Sequence, residues 1–457
     1  MLSCDTFALN KKFYKDNENL FAKNSDRPLG EAQPLFYSPN QKHCIGESIS
    51  CTHLTIPQVE ETYAVIGCKP YWIWGFETGL NEYGLVIGNE AQGSRCEAEK
   101  EEGLLGMDLL RLALERAKNA REAMKVIADL LEEYGQNANA SMLFDRRYEN
   151  SYLLVDRNEI WIMETAGRQW AAKQIYDWAA ISNCYSIGKD YDLYSEKMEQ
   201  LARNNHWLSA TESMDFAKAY TLPAVRQTNS VPRWRRMRKL ISMKEEALNI
   251  SDVKKICRDH FEGEIIEPRY GATYGGFVSI CMHAMTWDAS QTASSLLVSY
   301  HDQLGVVCRY APSIPCCSLY IPVYWTEELP EMVVKGAATY DEDSLWWTVE
   351  ALAMAVSIDE ERFGKNVRKE LKALEEEIEK EKMLVEEHAC ILLKQEKLQE
   401  AKQLLKELTK TSAERLMETA KRLTNSICEC VKNEGGLYGV RKEFLTEYCK
   451  RTNLPLL

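Results

Sequence analysis

The amino-acid sequence predicts an α+β protein in which strands and helices come in separate runs. Short strand-like segments fill much of the first hundred residues, two amphipathic helices follow, and further strands come after those helices. Chains that alternate strand and helix form parallel sheets, whereas segregated runs favour antiparallel sheets with helices layered on them. With 45% apolar and 27% charged residues, the 457-residue chain has a composition typical of globular proteins.

The N-terminal region begins with two apolar runs, at residues 5–9 and 19–22, which are separated by a polar loop and predict a hairpin. A second hairpin is predicted around residues 156–158, Asp-Arg-Asn, which have a turn composition. The strands of this second hairpin are the apolar runs 151–155 and 159–163. Further strand candidates are short apolar runs, some of them bounded by glycine, at 63–67, 84–88, 277–281 and 295–299.

Between these groups of strands, apolar residues recur at helical spacing from Leu105 to Leu131. This periodicity predicts two helices whose junction lies near Lys118 and Asn119. Gly135 predicts the end of the second helix, because glycine commonly follows a helix C-terminus.

The C-terminal region is predicted to be helical. Residues 345–355 are apolar, an amphipathic run begins at Arg368, and two further amphipathic runs span 398–408 and 413–431. We expect two units, an α+β domain at 1–330 and a helical extension at 331–457 packed on it. A coiled-coil surface for a partner is the alternative for this extension, although its apolar stripe lasts only about three heptads.

Charge and composition exclude several classes of protein. A formal net charge of −13 argues against a nucleic-acid partner, and the chain has no run of about 20 apolar residues to span a membrane. The basic segment 233–239 is expected to be a solvated helix face in so acidic a protein. The N-terminus lacks a signal peptide and the 15 cysteines contain no C-x-x-C pair, so we expect a reducing, cytoplasmic environment.

Motifs for familiar cofactors are missing from the sequence. It contains no P-loop, no dinucleotide-binding G-x-G-x-x-G after a strand, no H-E-x-x-H and no G-x-S-x-G. The seven histidines are dispersed, and none lies at metal-ligand spacing from another. We therefore expect no cofactor, no metal and no histidine-based triad.

Cys4 is the cysteine with a chemical possibility of its own. A thiolate is a strong nucleophile, but a free thiol with a pKa near 8.5 is only a few per cent ionised at neutral pH and needs a base. Removal of residues 1–3 would expose an α-amine with a pKa of about 7.7–8.0, which suits this task. Because loss of Met1 alone leaves Leu2 and Ser3, cleavage must fall directly before Cys4. On position alone, an inert cysteine in a buried strand is the simpler interpretation.

Five blocks of sequence in a fixed order change that interpretation: Ser3-Cys4-Asp5-Thr6-Phe7, Lys23-Asn24-Ser25-Asp26-Arg27-Pro28, Trp72-Ile73-Trp74-Gly75, the segment 79–90 (GLNEYGLVIGNE) and Gly106-Met107-Asp108-Leu109-Leu110-Arg111. Together they resemble the secernin branch of the C69 dipeptidase family, within the N-terminal nucleophile (Ntn) hydrolase superfamily. The resemblance is dense over residues 3–184 and thinner afterwards, where 315–318 and 345–347 also look like family features.

The resemblance implies a four-layer αββα sandwich of two antiparallel sheets. It also implies that Cys4 is the nucleophile, exposed by removal of the leader 1–3. The block from Lys23 to Asp26 is similar to the basic-Asn-x-Asp block of bile-salt hydrolases and penicillin V acylases. Those relatives usually carry Arg where this chain has Lys23. The compact ammonium of Lys23 therefore stands where a guanidinium could donate two parallel hydrogen bonds to a carboxylate.

Further site residues follow from the same resemblance. Asn81 is expected to donate to the oxyanion of the tetrahedral intermediate, or else to be a turn residue before Gly84. Asn183 is expected to orient the α-amine or the substrate. Arg269 is a weak candidate for a distal arginine that supports the nucleophile.

The sequence therefore predicts a cysteine-type Ntn amidohydrolase whose catalytic residues are Cys4, Lys23, Asp26, Asn81 and Asn183. The most plausible substrate is a dipeptide, and an acylase of another small amide is an alternative. A second alternative is a secernin-like scaffold or regulatory protein without peptidase activity. The expected partners are a small peptide or amide, with no nucleic acid or membrane, and a homo-oligomer is left open.

Overall fold

Two antiparallel sheets lie at the centre of the computed structural model, which describes residues 4–209, 211–227, 230–265, 267, 279–284, 286, 289–437 and 439–456. In the described part of the chain the first sheet has six strands in the order β14-β1-β2-β16-β17-β18. Its strands are β1 (Cys4–Leu9), β2 (Leu20–Pro28), β14 (Trp178–Ile181), β16 (Ser290–His301), β17 (Gly305–Pro312) and β18 (Ile321–Tyr324).

The second sheet has eight strands among the described residues, in the order β15-β13-β12-β11-β10-β9-β8-β3. They are β3 (Leu35–Ser38), β8 (Val65–Cys68), β9 (Thr78–Asn81), β10 (Val86–Gln92), β11 (Glu149–Val155), β12 (Ile160–Ala166), β13 (Gln169–Ile175) and β15 (Leu193–Tyr194). Two small ribbons outside both sheets pair β4 (Gln41–Lys42) with β7 (Glu61–Thr62) and β5 (Ser48–Ser50) with β6 (Thr55–Pro57).

The two large sheets face each other, and helices cover both outer surfaces. Strand β1 contacts β10 and β11 across the interface, which is filled by apolar side chains such as Ala8, Phe21 and Leu153. Helices α1 (Gly106–Arg116) and α2 (Ala120–Tyr134) pack on the second sheet. Helices α5 (Ser230–Ser242) and α6 (Ile250–Cys257) pack on the first. The predicted αββα sandwich is confirmed.

The local predictions for the sandwich were largely confirmed. The N-terminal runs form the hairpin β1–β2, and the runs flanking residues 156–158 form β11 and β12. Helix α2 begins after Asn119, whose side chain accepts a hydrogen bond from the Glu122 N–H, and ends at Gly135, which has a φ of 69°. The strand predicted at 277–281 is wrong where it can be judged, because 279–281 are irregular and 277–278 lie outside the described residues.

Two short helices, α3 (Met198–Asn204) and α4 (Phe216–Tyr220), precede α5. The C-terminal region forms α7 (Glu331–Val334), α8 (Leu345–Val356), α9 (Glu360–Lys394), α10 (Leu398–Asn433) and α11 (Gly439–Thr452). The two separate runs predicted at 398–408 and 413–431 are in fact one continuous helix, α10, because the residues between them include no helix breaker.

The helical extension lies against the body of the protein. Trp346 of α8 donates from Nε1 to the Ala293 carbonyl of β16 at 2.7 Å, and Glu375 of α9 forms an ion pair with Arg258 at 3.0 Å. The division into an α+β domain at 1–330 and a helical extension at 331–457 stays a prediction. Among the described residues, the helices are too short or too polar to cross a bilayer.

Candidate active site

The hairpin β1–β2 places the residues of the first two sequence blocks side by side. Its antiparallel register sets Cys4 opposite Ser25, between Asn24 and Asp26 on β2. Side chains alternate between the faces of a strand, so Cys4 and Thr6 share the face toward the second sheet while Asp5 points to the helical layer. Cys4 is 5% exposed and Asp26 1% exposed, so both lie inside the protein.

The contacts of Cys4 involve Asn183 and Asp26. The Cys4 N–H donates to Asn183 Oδ1 at 2.9 Å, and the Asp26 N–H donates to Cys4 Sγ at 3.3 Å. Burial raises the pKa of the Cys4 thiol well above its usual value, and the charge of Lys23 opposes this rise only in part. Burial therefore favours the protonated form of this thiol.

Lys23 places a positive charge near the thiol on the face between the sheets. Its ammonium donates to the Asn89 carbonyl and lies 3.3 Å from a carboxylate oxygen of Glu90, and Glu90 also accepts from Thr6. A side chain at Gly88 would meet Lys23 Cδ at 2.8 Å, so glycine leaves the space that Lys23 fills. Burial raises the pKa of Glu90 to about 7 despite the adjacent ammonium.

Arg233 of α5 joins the other polar groups on the helical face of β1. Its guanidinium pairs with Asp5 at 2.6 Å, donates to Asn183 Oδ1 at 2.9 Å and lies 4.0 Å from Asp26. The Arg233 side chain is 1% exposed, and burial raises the pKa of Asp5 to about 6 although the guanidinium opposes the rise. Asn183 Oδ1 thus accepts from both Cys4 and Arg233, which fixes the side chain beside the nitrogen of Cys4.

The prediction that the segment 233–239 is a solvated face is wrong for Arg233 and Arg236. Both are buried, and Arg236 forms a bidentate pair with Asp259, whereas Arg235 and Arg238 are exposed. Arg233 is the site residue that the sequence did not identify. The available signal was its place on the same helical stripe as Met237 and Ile241, which are buried apolar residues.

Asn81 has a different place from the one expected of an oxyanion donor. Its amide nitrogen donates to the Leu114 and Ala117 carbonyls at 2.9 and 2.7 Å, at the end of α1. Its oxygen accepts from the Tyr83 and Leu85 N–H groups, both at 3.1 Å. Both amide hydrogens of Asn81 are used in these contacts, which link the turn before Gly84 to the end of α1. This geometry is that of a turn residue, the alternative to an oxyanion donor.

Replacing Asn81 with alanine is expected to lower the free energy of unfolding by about 2–4 kcal/mol, since three buried hydrogen bonds and one partly buried one lose their partner. The kcat/KM of the folded fraction should stay within a few-fold of the wild-type value. Chemical denaturation and steady-state kinetics at a temperature where the variant is folded measure the two effects. If the variant instead kept its stability and its turnover fell by about 100-fold or more, Asn81 would belong to the catalytic machinery.

The structure thus brings together four of the five predicted residues, Cys4, Lys23, Asp26 and Asn183. Arg269, the weak candidate for a distal arginine, lies outside the described residues. Arg233 occupies a position that fits such a supporting cation.

A cysteine at the start of an inner strand of an αββα sandwich is compatible with the fold class of the Ntn hydrolases. The chain belongs to peptidase family C69, whose profile matches residues 57–373.

The chain is similar in sequence to two proteins named as dipeptidases. A dipeptidase of Bifidobacterium longum (strain NCC 2705) is 28% identical over 251 residues, which cover 46% of this chain and 45% of that protein. The match therefore spans less than half of this relative. A probable dipeptidase B of Streptococcus pyogenes serotype M1 is 22% identical over 420 residues, covering 82% of each chain. Among solved structures, a single-residue variant of conjugated bile acid hydrolase from Clostridium perfringens matches with a TM-score of 0.41 and 12% identity, over 73% of this chain and 95% of that one.

Proposed function

We propose that the protein is a cysteine-type amide hydrolase that cleaves dipeptides through Cys4. The observation that supports this most is the placement of Cys4, whose N–H is held by Asn183 and whose Sγ accepts from the Asp26 N–H. Membership of peptidase family C69 and two relatives named as dipeptidases indicate the substrate class.

The base in this proposal is the α-amine of Cys4 after cleavage of the Ser3–Cys4 bond. Among the described residues, Cys4 donates from its N–H to Asn183, accepts at its carbonyl from the Ser182 hydroxyl, and contacts the Asp26 backbone through Sγ. None of these groups is an imidazole. A new amine at this position would lie beside Asn183 Oδ1, which orients it. The positive charges of Arg233 and Lys23 nearby favour the neutral, basic form of the amine, since like charges disfavour protonation.

Acylation transfers the thiol proton to the α-amine while Cys4 Sγ forms a bond to the carbonyl carbon of the substrate. The C–N bond then breaks, and the leaving amine takes a proton from the α-ammonium. Water next attacks the thioester, with the α-amine accepting its proton, and releases the carboxylic acid and the thiol. Lys23 stabilises the thiolate by its charge, while Arg233 and Asp26 are positioning residues that hold Asn183 and the backbone around Cys4.

A substrate panel tests this function. Purified full-length protein should hydrolyse at least some unblocked dipeptides, with kcat/KM at least about ten-fold above that for N-acyl amino acids of the same side chain. Preference for the N-acyl compounds would support the acylase alternative. Turnover of neither class would contradict a hydrolase and favour the scaffold interpretation.

A further inference from the structure

Four side chains capable of binding a metal converge at a place outside the candidate active site. They are His260 after α6, Cys281 and His283 in the segment before β16, and Cys316 in the short turn after β17. One ligand atom from each lies within 4.8 Å of every other. Three of the four are buried and His283 is partly buried, so the cluster is not a chance gathering on the surface.

The distances from His283 to the other three side chains are close to those of a tetrahedral site. His283 Nε2 lies 3.2 Å from His260 Nε2, 3.2 Å from Cys316 Sγ and 3.8 Å from Cys281 Sγ. Zinc bonds of about 2.0–2.1 Å to nitrogen and 2.3 Å to sulfur place tetrahedral ligands about 3.3–3.8 Å apart. The remaining pairs of ligand atoms lie within 4.8 Å of each other, so a small contraction would let all four atoms bind one ion.

A carboxylate orients one of the imidazoles. Glu262 Oε1 lies 3.0 Å from His260 Nδ1, so a hydrogen bond there directs Nε2 of the same ring toward the cluster. Ligating histidines in zinc sites commonly have such a carboxylate on the other nitrogen. Cys281 is held as well, since its N–H donates to the Asp259 carbonyl at 3.0 Å.

We propose that His260, Cys281, His283 and Cys316 bind one Zn²⁺. Two thiolates and two imidazoles are a ligand set typical of zinc, and four protein ligands leave no open position for a substrate. The metal is therefore structural, and it ties the segment around 281–283 to the end of α6 and to the turn after β17.

The site is connected to the candidate active site through Met282, which lies between two of the ligands. The Met282 N–H donates to Thr292 Oγ1 at 3.0 Å, and the Met282 carbonyl accepts from the Thr292 N–H at 3.1 Å. Thr292 in turn donates to Asp26 Oδ1 at 2.7 Å. Zinc would thus hold the residue that orients Asp26, although the proposal does not depend on the catalytic function.

Sequence spacing did not reveal this cluster, and the proposal departs from the expectation that each histidine is a surface or packing residue. The ligands are separated by 21, 2 and 33 residues along the chain. The usual zinc signals are two pairs of ligands with two to five residues between the members of each pair, whereas Cys281 and His283 have a single residue between them and the other two ligands are distant in sequence. Folding, not local spacing, brings these four together.

Metal analysis of the full-length protein tests the proposal. Protein purified under reducing conditions, stripped with a chelator and given Zn²⁺ should retain about one equivalent after desalting. Substituted with Co²⁺, it should show the thiolate charge-transfer band and intense visible bands of a tetrahedral site. Retention of less than about a tenth of an equivalent, or a cobalt spectrum without a thiolate band, would overturn the proposal without need of any variant.

Variants then locate the ligands. Cys281→Ser and Cys316→Ser should each weaken Zn²⁺ binding by at least about ten-fold. Cys317→Ser is the matched control, because Cys317 is also buried and adjacent in sequence but lies outside the four-residue cluster, and it should bind like the wild type. The assignment is wrong if Cys281→Ser and Cys316→Ser both bind Zn²⁺ like the wild type. It is also wrong if Cys317→Ser loses Zn²⁺ binding while Cys316→Ser keeps it.

Discussion

Replacing Cys4 with alanine is expected to reduce kcat/KM for dipeptides by at least about 10⁴-fold, because the nucleophile of the proposed mechanism is lost. Removal of one buried sulfur should cost only about 1 kcal/mol of unfolding free energy, so the variant remains folded. Hydrolysis assays with the wild-type substrate panel, together with circular dichroism, measure both quantities.

Cys308→Ala is the matched control for that variant. Cys308 lies on β17 of the same sheet and is 2% exposed, so its replacement removes a comparable buried thiol. Its kcat/KM should stay within a few-fold of the wild-type value. Folded Cys4→Ala protein that keeps more than about 1% of wild-type activity would contradict the mechanism.

The second large effect concerns Arg233. Its replacement by methionine, which has a similar length, leaves Asp5 without its ion-pair partner and Asp26 without a neighbouring cation. Breaking a buried ion pair from one side typically costs about 3–5 kcal/mol, and we expect a loss of stability in that range. The variant should also show a turnover number lower by about 100-fold or more with a KM within a few-fold, since Asn183 is no longer held beside Cys4.

Arg236→Met separates the structural effect from the positioning effect. Arg236 is also buried on α5 and pairs with Asp259, so its loss should destabilise the protein to a similar degree while leaving kcat little changed. Without Arg233 the pKa of Asp5 should rise further above about 6, because the guanidinium lowers it. The acid limb of the pH–rate profile should also move to higher pH in Arg233→Met alone, because loss of the guanidinium charge raises the pKa of the α-amine that acts as the base. Equal losses of turnover in the two variants would show that Arg233 has only a structural role.

The fold could be predicted to the extent that it depends on local pattern. Alternating and helical spacing located the hairpin β1–β2 and the helices α1 and α2, and the hairpin alone ensures that Cys4 lies beside Asp26. The apolar stripe is interrupted between residues 408 and 413, and this pattern predicts two helices where the structure has the single helix α10. Such an interruption does not end a helix that lacks glycine or proline at that point.

The remaining site features depend on tertiary contacts that no local pattern carries. Arg233 is 229 residues from Cys4, and a basic helix segment looks the same in sequence whether its face is solvated or buried. Asn81 was expected near the nucleophile from its sequence block, yet the packing of α1 against β9 directs its amide to helix carbonyls.

The mature N-terminal residue tests the central claim most directly. Intact-mass spectrometry and N-terminal sequencing of the purified, active protein should show a chain that begins at Cys4, with Met1, Leu2 and Ser3 removed. The Cys4→Ala variant should retain those residues if the folded protein cleaves itself. An active wild-type preparation whose chains still carry Ser3 would contradict an N-terminal cysteine that supplies both nucleophile and base.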